Sequence, residues 1–166
     1  MITVLIRVTH GPEALAVTLS SLVPAVTAGL IADAVILADR EDEGIAQVAE
    51  AAGAVLRLSP AGHWAEAGRL ARHDWLLCLD DGDLPQEGWI RVLDRFVGLN
   101  ADRPGRARFK RSHGVFRDMV HRIRDRFAPR AIRSGDLIHR RILLGEAKSG
   151  QPVRLTAAIE RDPAFS

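Results

Sequence analysis

The chain has 166 residues, with 23 Lys and Arg against 21 Asp and Glu, a net charge of +2, 47% apolar residues and one cysteine. That length fits one domain with a substantial core, and no apolar run is long enough to span a bilayer. A lone cysteine excludes an intramolecular disulfide, and the opening MITVLIRV reads as a strand rather than a signal-peptide core, so a cytoplasmic protein is expected.

Short apolar strands alternate with helical patterns from the start. Ile2 to Val8 reads as a strand. Pro12 then opens a helix with Leu15, Leu19, Leu22, Val23 and Val26 at helical spacing and a kink or end at Pro24. Ala34 to Ala38 is the second strand, Asp42 to Ala52 a helix stopped by Gly53, and Ala54 to Leu58 the third strand. Gly62 to Arg72 is helical, Trp75 to Leu79 is the fourth strand with Cys78 as a buried thiol, and a helix from about Gln86 to Gly98 buries Trp89, Ile90, Leu93, Phe96 and Val97. Four strand-then-helix units argue for an α/β fold, a mostly parallel central sheet with helices on both faces, whose ligands bind outside the carboxyl ends of the strands.

Beyond Asn100 the pattern loosens. Arg106 to Lys110 and Asp136 to His139 read as short strands. Val115 to Phe127 forms an amphipathic helix with an Arg-rich face, Arg140 to Gly145 is a further short element, a helix is expected near Arg154 to Arg161, and the tail is loose. Charge divides the same way. Residues 1–100 carry 7 basic against 14 acidic groups, and residues 101–166 carry 16 against 7. We therefore distinguish an acidic half, 1–100, from a basic half, 101–166, within one domain.

The segment DWLLCLDDGDLPQEGW, Asp74 to Trp89, concentrates the chemistry. Asp80, Asp81 and Asp83 follow directly on a buried strand, and like charges so close are costly unless something positive sits among them. A divalent cation such as Mg²⁺ or Mn²⁺, itself holding a diphosphate, would serve. The competing readings are a solvated acidic loop, or a helix start with Asp83 as N-cap and Pro85 at its first position.

The order of elements and this loop together resemble the family 2 glycosyltransferases. Those enzymes have the three-layer, Rossmann-like GT-A fold and move a sugar from a nucleoside-diphosphate donor. ITVLIRVTH resembles the family's first strand, with Arg7 in the place of its proline and His10 in the place of its asparagine. VILAD, ending in Asp39, is similar to the second strand, whose terminal aspartate contacts the nucleotide base. DWLLCLDDGDLPQEGW resembles the metal-binding segment, although counting back from Gly88-Trp89 puts Gly82 where that loop has its second aspartate. SGDLIHRRILL, Ser134 to Leu144, is similar to the acceptor-side stretch.

The resemblance implies a metal held either by a shifted pair, Asp81 and Asp83, with Asp80 in support, or by an Asp80-Asp81 doublet; the first is the register adopted. It also implies a nucleotide sugar contacted by Asp39, His10 and Arg69, and an acceptor that includes the lipid-linked kind. The family's late Glu-Asp motif has no clear counterpart; Asp136 and Glu146 are the nearby carboxylates, and Asp136 is taken as the candidate base, the loss of which costs about 10²–10⁴-fold in rate. The alternative is an inactive GT-A-like binding protein that meets an anionic membrane through residues 115–127. Nucleic acid is disfavoured as a partner because no recognition motif accompanies the basic charge. His113, His121 and His139 show no zinc-ligand spacing.

Overall fold

The computed structural model describes residues 1–101, 103–111 and 131–165. Its strands are β1 (Ile2–Arg7), β2 (Ile31–Ala38), β3 (Val55–Leu58), β4 (Trp75–Asp80), β5 (Asp83–Pro85), β6 (Arg106–Arg111), β7 (Asp136–His139) and β8 (Val153–Arg161). The helices are α1 (Pro12–Thr27), α2 (Glu43–Ala51), α3 (Trp64–Leu70), α4 (Trp89–Leu99) and α5 (Arg140–Leu143), with a 3-10 turn at Pro163–Phe165. The eight strands form one sheet in the order β3-β2-β1-β4-β7-β6-β8-β5. Its first four strands pair in parallel. In the other half β6 and β8 are parallel, whereas β7 runs antiparallel to both β4 and β6, and β5 antiparallel to β8.

Alternation along β1 explains the three layers, because successive side chains point to opposite faces. Ile2, Val4 and Ile6 join Leu15 and Leu22 of α1, Ile45 of α2 and Leu93 of α4 on one face. Leu5 packs on the other face with Val35, Leu37, Trp64 of α3 and Ile142 and Leu143 of α5. The expected α/β architecture, with helices on both faces, is what forms.

Several local readings are corrected. Val153–Arg161 is a strand rather than a helix: Leu155, Ala157 and Ile159 are buried at every second position, a period of two rather than 3.6. Asp83–Pro85 is a short strand, and α4 starts later, behind Gly88 in the left-handed region, so Asp83 caps no helix. Pro24 does not end α1, which continues to Thr27. Pro24 is exposed, so the carbonyl it leaves unbonded can meet water. The Arg-rich helix expected at 115–127 lies outside the described residues. Among those described, no helix is long and apolar enough to cross a membrane.

Candidate functional site

The carboxyl ends of β2, β1 and β4 share one edge because these strands are parallel neighbours. Arg7 and Asp80 are register partners at the last rung of β1 and β4, and their side chains pair at 2.9 Å. The Arg7 guanidinium also stacks 5.0 Å from the ring of Trp64. Burial pushes the Asp80 carboxyl above its ordinary value, and Asp83 adds to that, while Arg7, Arg111 and Arg161 pull the other way.

Asp81 turns back towards the loop between β1 and α1. It accepts from the backbone N–H of His10 at 2.6 Å, the N–H of Gly11 at 3.1 Å and the Thr9 hydroxyl at 2.9 Å, and its Oδ1 lies 3.0 Å from His10 Nδ1. Burial would raise this carboxyl, but the hydrogen bonds from His10 and Thr9 outweigh it and hold Asp81 below the ordinary value. It also places negative charge just before α1, where exposed N–H groups favour an anion.

Gly82 then bends the chain with φ of 80°, a region that favours glycine. Its N–H donates to the Thr18 hydroxyl of α1 at 2.8 Å, and Phe165 packs so closely that an added Cβ would lie 3.2 Å from the phenylalanine's own.

Asp83 opens β5, and its register partner on β8 is Arg161. Arg161 donates to Asp83 Oδ1 at 3.2 Å and lies 3.7 Å from Asp80 Oδ2 and 3.3 Å from the His10 ring nitrogens. Arg111, ending β6, donates to Asp83 Oδ2 at 2.8 Å and to the Ser134 hydroxyl at 2.6 Å. Ser134 donates to the same carboxylate oxygen, and both Ser134 and Asp83 accept from the N–H of Asp80. Two carboxylates, Asp80 and Asp83, thus meet three guanidiniums in one array, which Asp81 joins only through His10.

The premise drawn from the sequence, that positive charge must sit among these aspartates, holds; arginines supply it. Asp81 and Asp83 point into different donor sets, and among the described residues no group of three or more His, Cys, Asp or Glu is arranged to hold a metal. As placed, Asp81 and Asp83 spend both oxygens on protein donors, so of the three aspartates Asp80 alone offers a divalent ion an oxygen outside a hydrogen bond.

The structure brings His10, Asp80, Asp81 and Asp83 together. Asp39 stands just past β2, exposed and 3.7 Å from Arg40, and Arg69 is exposed on α3. Neither touches the array. Asp136 is fully buried in the mixed half: it pairs with Arg106 and with its register partner Arg108, each at 2.6 Å, and accepts from the N–H of Arg133 at 2.8 Å. A carboxylate so enclosed presents no free oxygen to an acceptor hydroxyl, which counts against the expected base. Cys78 is sealed in β4, and burial raises its thiol well above the ordinary value, so it is no nucleophile.

Arg7, Arg111, Arg161, Thr9 and Ser134 were not among the expected site residues. Arg7 was visible as a departure from the proline of the resembled motif. Arg111 and Arg161 carry no motif, and only the basic excess of the second half hinted at them.

No family model matches the chain, and no curated protein matches it in sequence. Solved structures do. Mannosyl-3-phosphoglycerate synthase from Rubrobacter xylanophilus superposes with a TM-score of 0.62 at 14% identity, covering 98% of this chain and 66% of its own. TarS 1-349 from S. aureus gives 0.58 at 14% identity, covering 85% and 48%. Glucosyl-3-phosphoglycerate synthase from Mycobacterium tuberculosis, in complex with Mn²⁺, UDP and phosphoglyceric acid, gives 0.56 at 15% identity, covering 84% and 56%. The protein therefore has the GT-A glycosyltransferase fold, and it spans about half to two thirds of the length of these three proteins.

Proposed function

We propose that the protein binds a nucleoside-diphosphate sugar along the carboxyl edge of β2, β1 and β4 and acts as a glycosyltransferase-like protein. The observation that carries this reading is the array of Arg7, Arg111 and Arg161 among Asp80, Asp81 and Asp83 at that edge. Open α/β sheets bind ligands there, and one neighbour of this fold is a complex with UDP. In the proposal Asp39 meets the nucleotide base, His10 and Arg69 flank the donor, and the arginines face its diphosphate. In transfer, an acceptor hydroxyl oxygen bonds to the anomeric carbon as the bond to the diphosphate breaks, its proton passes to solvent or to the departing diphosphate, and fixed cations stabilise the charge that develops on the departing group.

A second reading, donor binding without turnover, is favoured by the burial of Asp136 between Arg106 and Arg108. The acceptor, lipid-linked or otherwise, belongs to the proposal alone, as does a cytoplasmic location. The membrane contact expected at 115–127 falls on residues outside the described set.

Titration of the protein with UDP-sugars and GDP-sugars, with release of free nucleotide followed in parallel, tests both readings. Binding that weakens by about tenfold in Asp39→Ala, the loss of roughly one hydrogen bond to a charged group, supports the donor site. Unchanged affinity in that variant removes Asp39 from it, and failure of every donor to bind overturns the proposal. Nucleotide release in the presence of an acceptor favours transfer; binding with no release favours the second reading.

A further inference from the structure

We infer that Arg111 and Arg161, with Arg7, take the place of a divalent cation, so that the diphosphate of the donor is held by guanidinium groups and binds without metal. The inference rests on the donor-site reading and concerns how that site neutralises charge.

Three independent features of the loop lead there. The first is the backbone at Gly82, the position where the resembled motif has its second aspartate. With φ of 80° and Phe165 3.2 Å from where a Cβ would lie, the turn favours glycine and an aspartate there would strain the backbone and press on Phe165.

The second is the use of the neighbouring carboxylates. Both oxygens of Asp81 are engaged by Thr9, His10 and Gly11. Both oxygens of Asp83 are engaged by Arg111, Arg161 and Ser134. A divalent ion would have to break these bonds to gain either carboxylate; of the three aspartates, Asp80 alone keeps an oxygen, Oδ2, outside a hydrogen bond, 3.7 Å from Arg161.

The third is charge. Asp80, Asp81 and Asp83 carry three negative charges and Arg7, Arg111 and Arg161 three positive ones, with His10 beside them. The aspartates are therefore balanced without a metal, and a diphosphate would draw on the guanidinium N–H donors that they leave unused.

The arginines keep capacity for a ligand. A guanidinium has five N–H donors, and the bonds named use only part of each set. Arg161 is held by long contacts, 3.2 Å to Asp83, 3.3 Å to the His10 ring nitrogens and 3.7 Å to Asp80, and its side chain remains 18% exposed. Arg111 is 21% exposed and Arg7 36% exposed. Arginine suits this task because its planar fork matches phosphate oxygens two at a time. The aspartates then act as anchors that aim the guanidiniums. Two of those anchors are set by the sheet, since Asp80 and Asp83 are register partners of Arg7 and Arg161.

The test is calorimetric titration of the whole chain with UDP, GDP and inorganic pyrophosphate, each in EDTA and again in excess Mn²⁺, with uridine and guanosine as phosphate-free controls. The inference expects UDP or GDP to bind with the same affinity in both conditions. It expects Arg161→Met and Arg111→Met each to weaken that binding by about 10–100-fold, the range for one or two charged hydrogen bonds, while leaving nucleoside binding in place. Mn²⁺ alone should not raise the melting temperature of the wild-type protein. Nucleotide binding that appears only with Mn²⁺ overturns the inference and leaves the donor site standing. Metal-free binding that both arginine variants retain at full strength also overturns it. If no nucleotide binds in either condition, the donor reading fails, and the inference fails with it. Because the wild-type comparison needs no variant, a variant that does not fold leaves the inference exposed to refutation.

Discussion

One half of the sheet, β3-β2-β1-β4, is held by apolar strands; the other, β7-β6-β8-β5, also buries apolar residues such as Leu137, Ile138 and Ile159 but sets buried ion pairs among them. In the first half Val4, Leu5, Ile6, Leu76, Leu77 and Leu79 are fully buried. In the second, Asp136 is buried between Arg106 and Arg108, and Asp83 between Arg111 and Arg161. Apolar burial is non-directional and tolerates small shifts, whereas a buried ion pair is favourable only with full partnering and good geometry.

That difference predicts unequal responses to single substitutions. Asp136→Ala leaves Arg106 buried without its carboxylate and should cost about 3–5 kcal/mol in urea unfolding. The double change Asp136→Leu with Arg106→Met should recover most of that loss, because an apolar pair needs no partner. In the parallel half Leu77→Ala should cost about 3 kcal/mol through the cavity it leaves, and no second-site change of charge should rescue it. Equal losses with no rescue of Asp136→Ala would mean that the two halves are stabilised in the same way.

The same contrast explains what the sequence disclosed. The strands of the parallel half announce themselves because consecutive apolar residues such as Leu76, Leu77, Cys78 and Leu79 have few other uses. RARFKR, the sequence of β6, looks like surface until Asp136 is known to lie opposite Arg108. VRLTAAIER, the sequence of β8, has small and apolar residues that fit either period, so its strand was read as a helix. In the site, the aspartates were legible because three of them follow a buried strand. Their partners were not, because Arg111 and Arg161 reach them only through long-range register. Charge balance demanded a cation but could not say whether an ion or a side chain would supply it.

The turn between β4 and β5 joins the two halves and offers a smaller effect. Gly82→Ala must place a Cβ on a backbone with φ of 80° and press it towards Phe165. A cost of about 1–2 kcal/mol is expected from the left-handed conformation alone, with a further loss from the contact. Because Gly82 also accepts from the N–H of Asp162, the same variant should loosen the end of β8, seen as faster amide exchange at Asp162. Wild-type exchange at that amide would show that the turn and the end of β8 are independent.

The smallest effect, and the sharpest, is in acid. Asp81 titrates below its ordinary value in the folded protein, so it binds fewer protons there than in the unfolded chain. Its contribution is present above the unfolded carboxyl value of about 3.9 and is lost as pH falls through the lower folded value. Asp80 is shifted the other way, chiefly by burial. The stability linked to it is present below about 3.9 and is lost as pH rises through its raised folded value. The two neighbours therefore pull in opposite directions. Urea midpoints measured from about pH 3 to about pH 6 should fall less steeply on the acid side in Asp81→Asn than in the wild type. In Asp80→Asn they should rise more steeply with pH over the part of that range above 3.9, because the opposing loss is gone. Identical slopes in the two variants would mean that the array titrates as one unit. Opposite changes would show that Asp81 serves the loop before α1, while Asp80 faces the arginines.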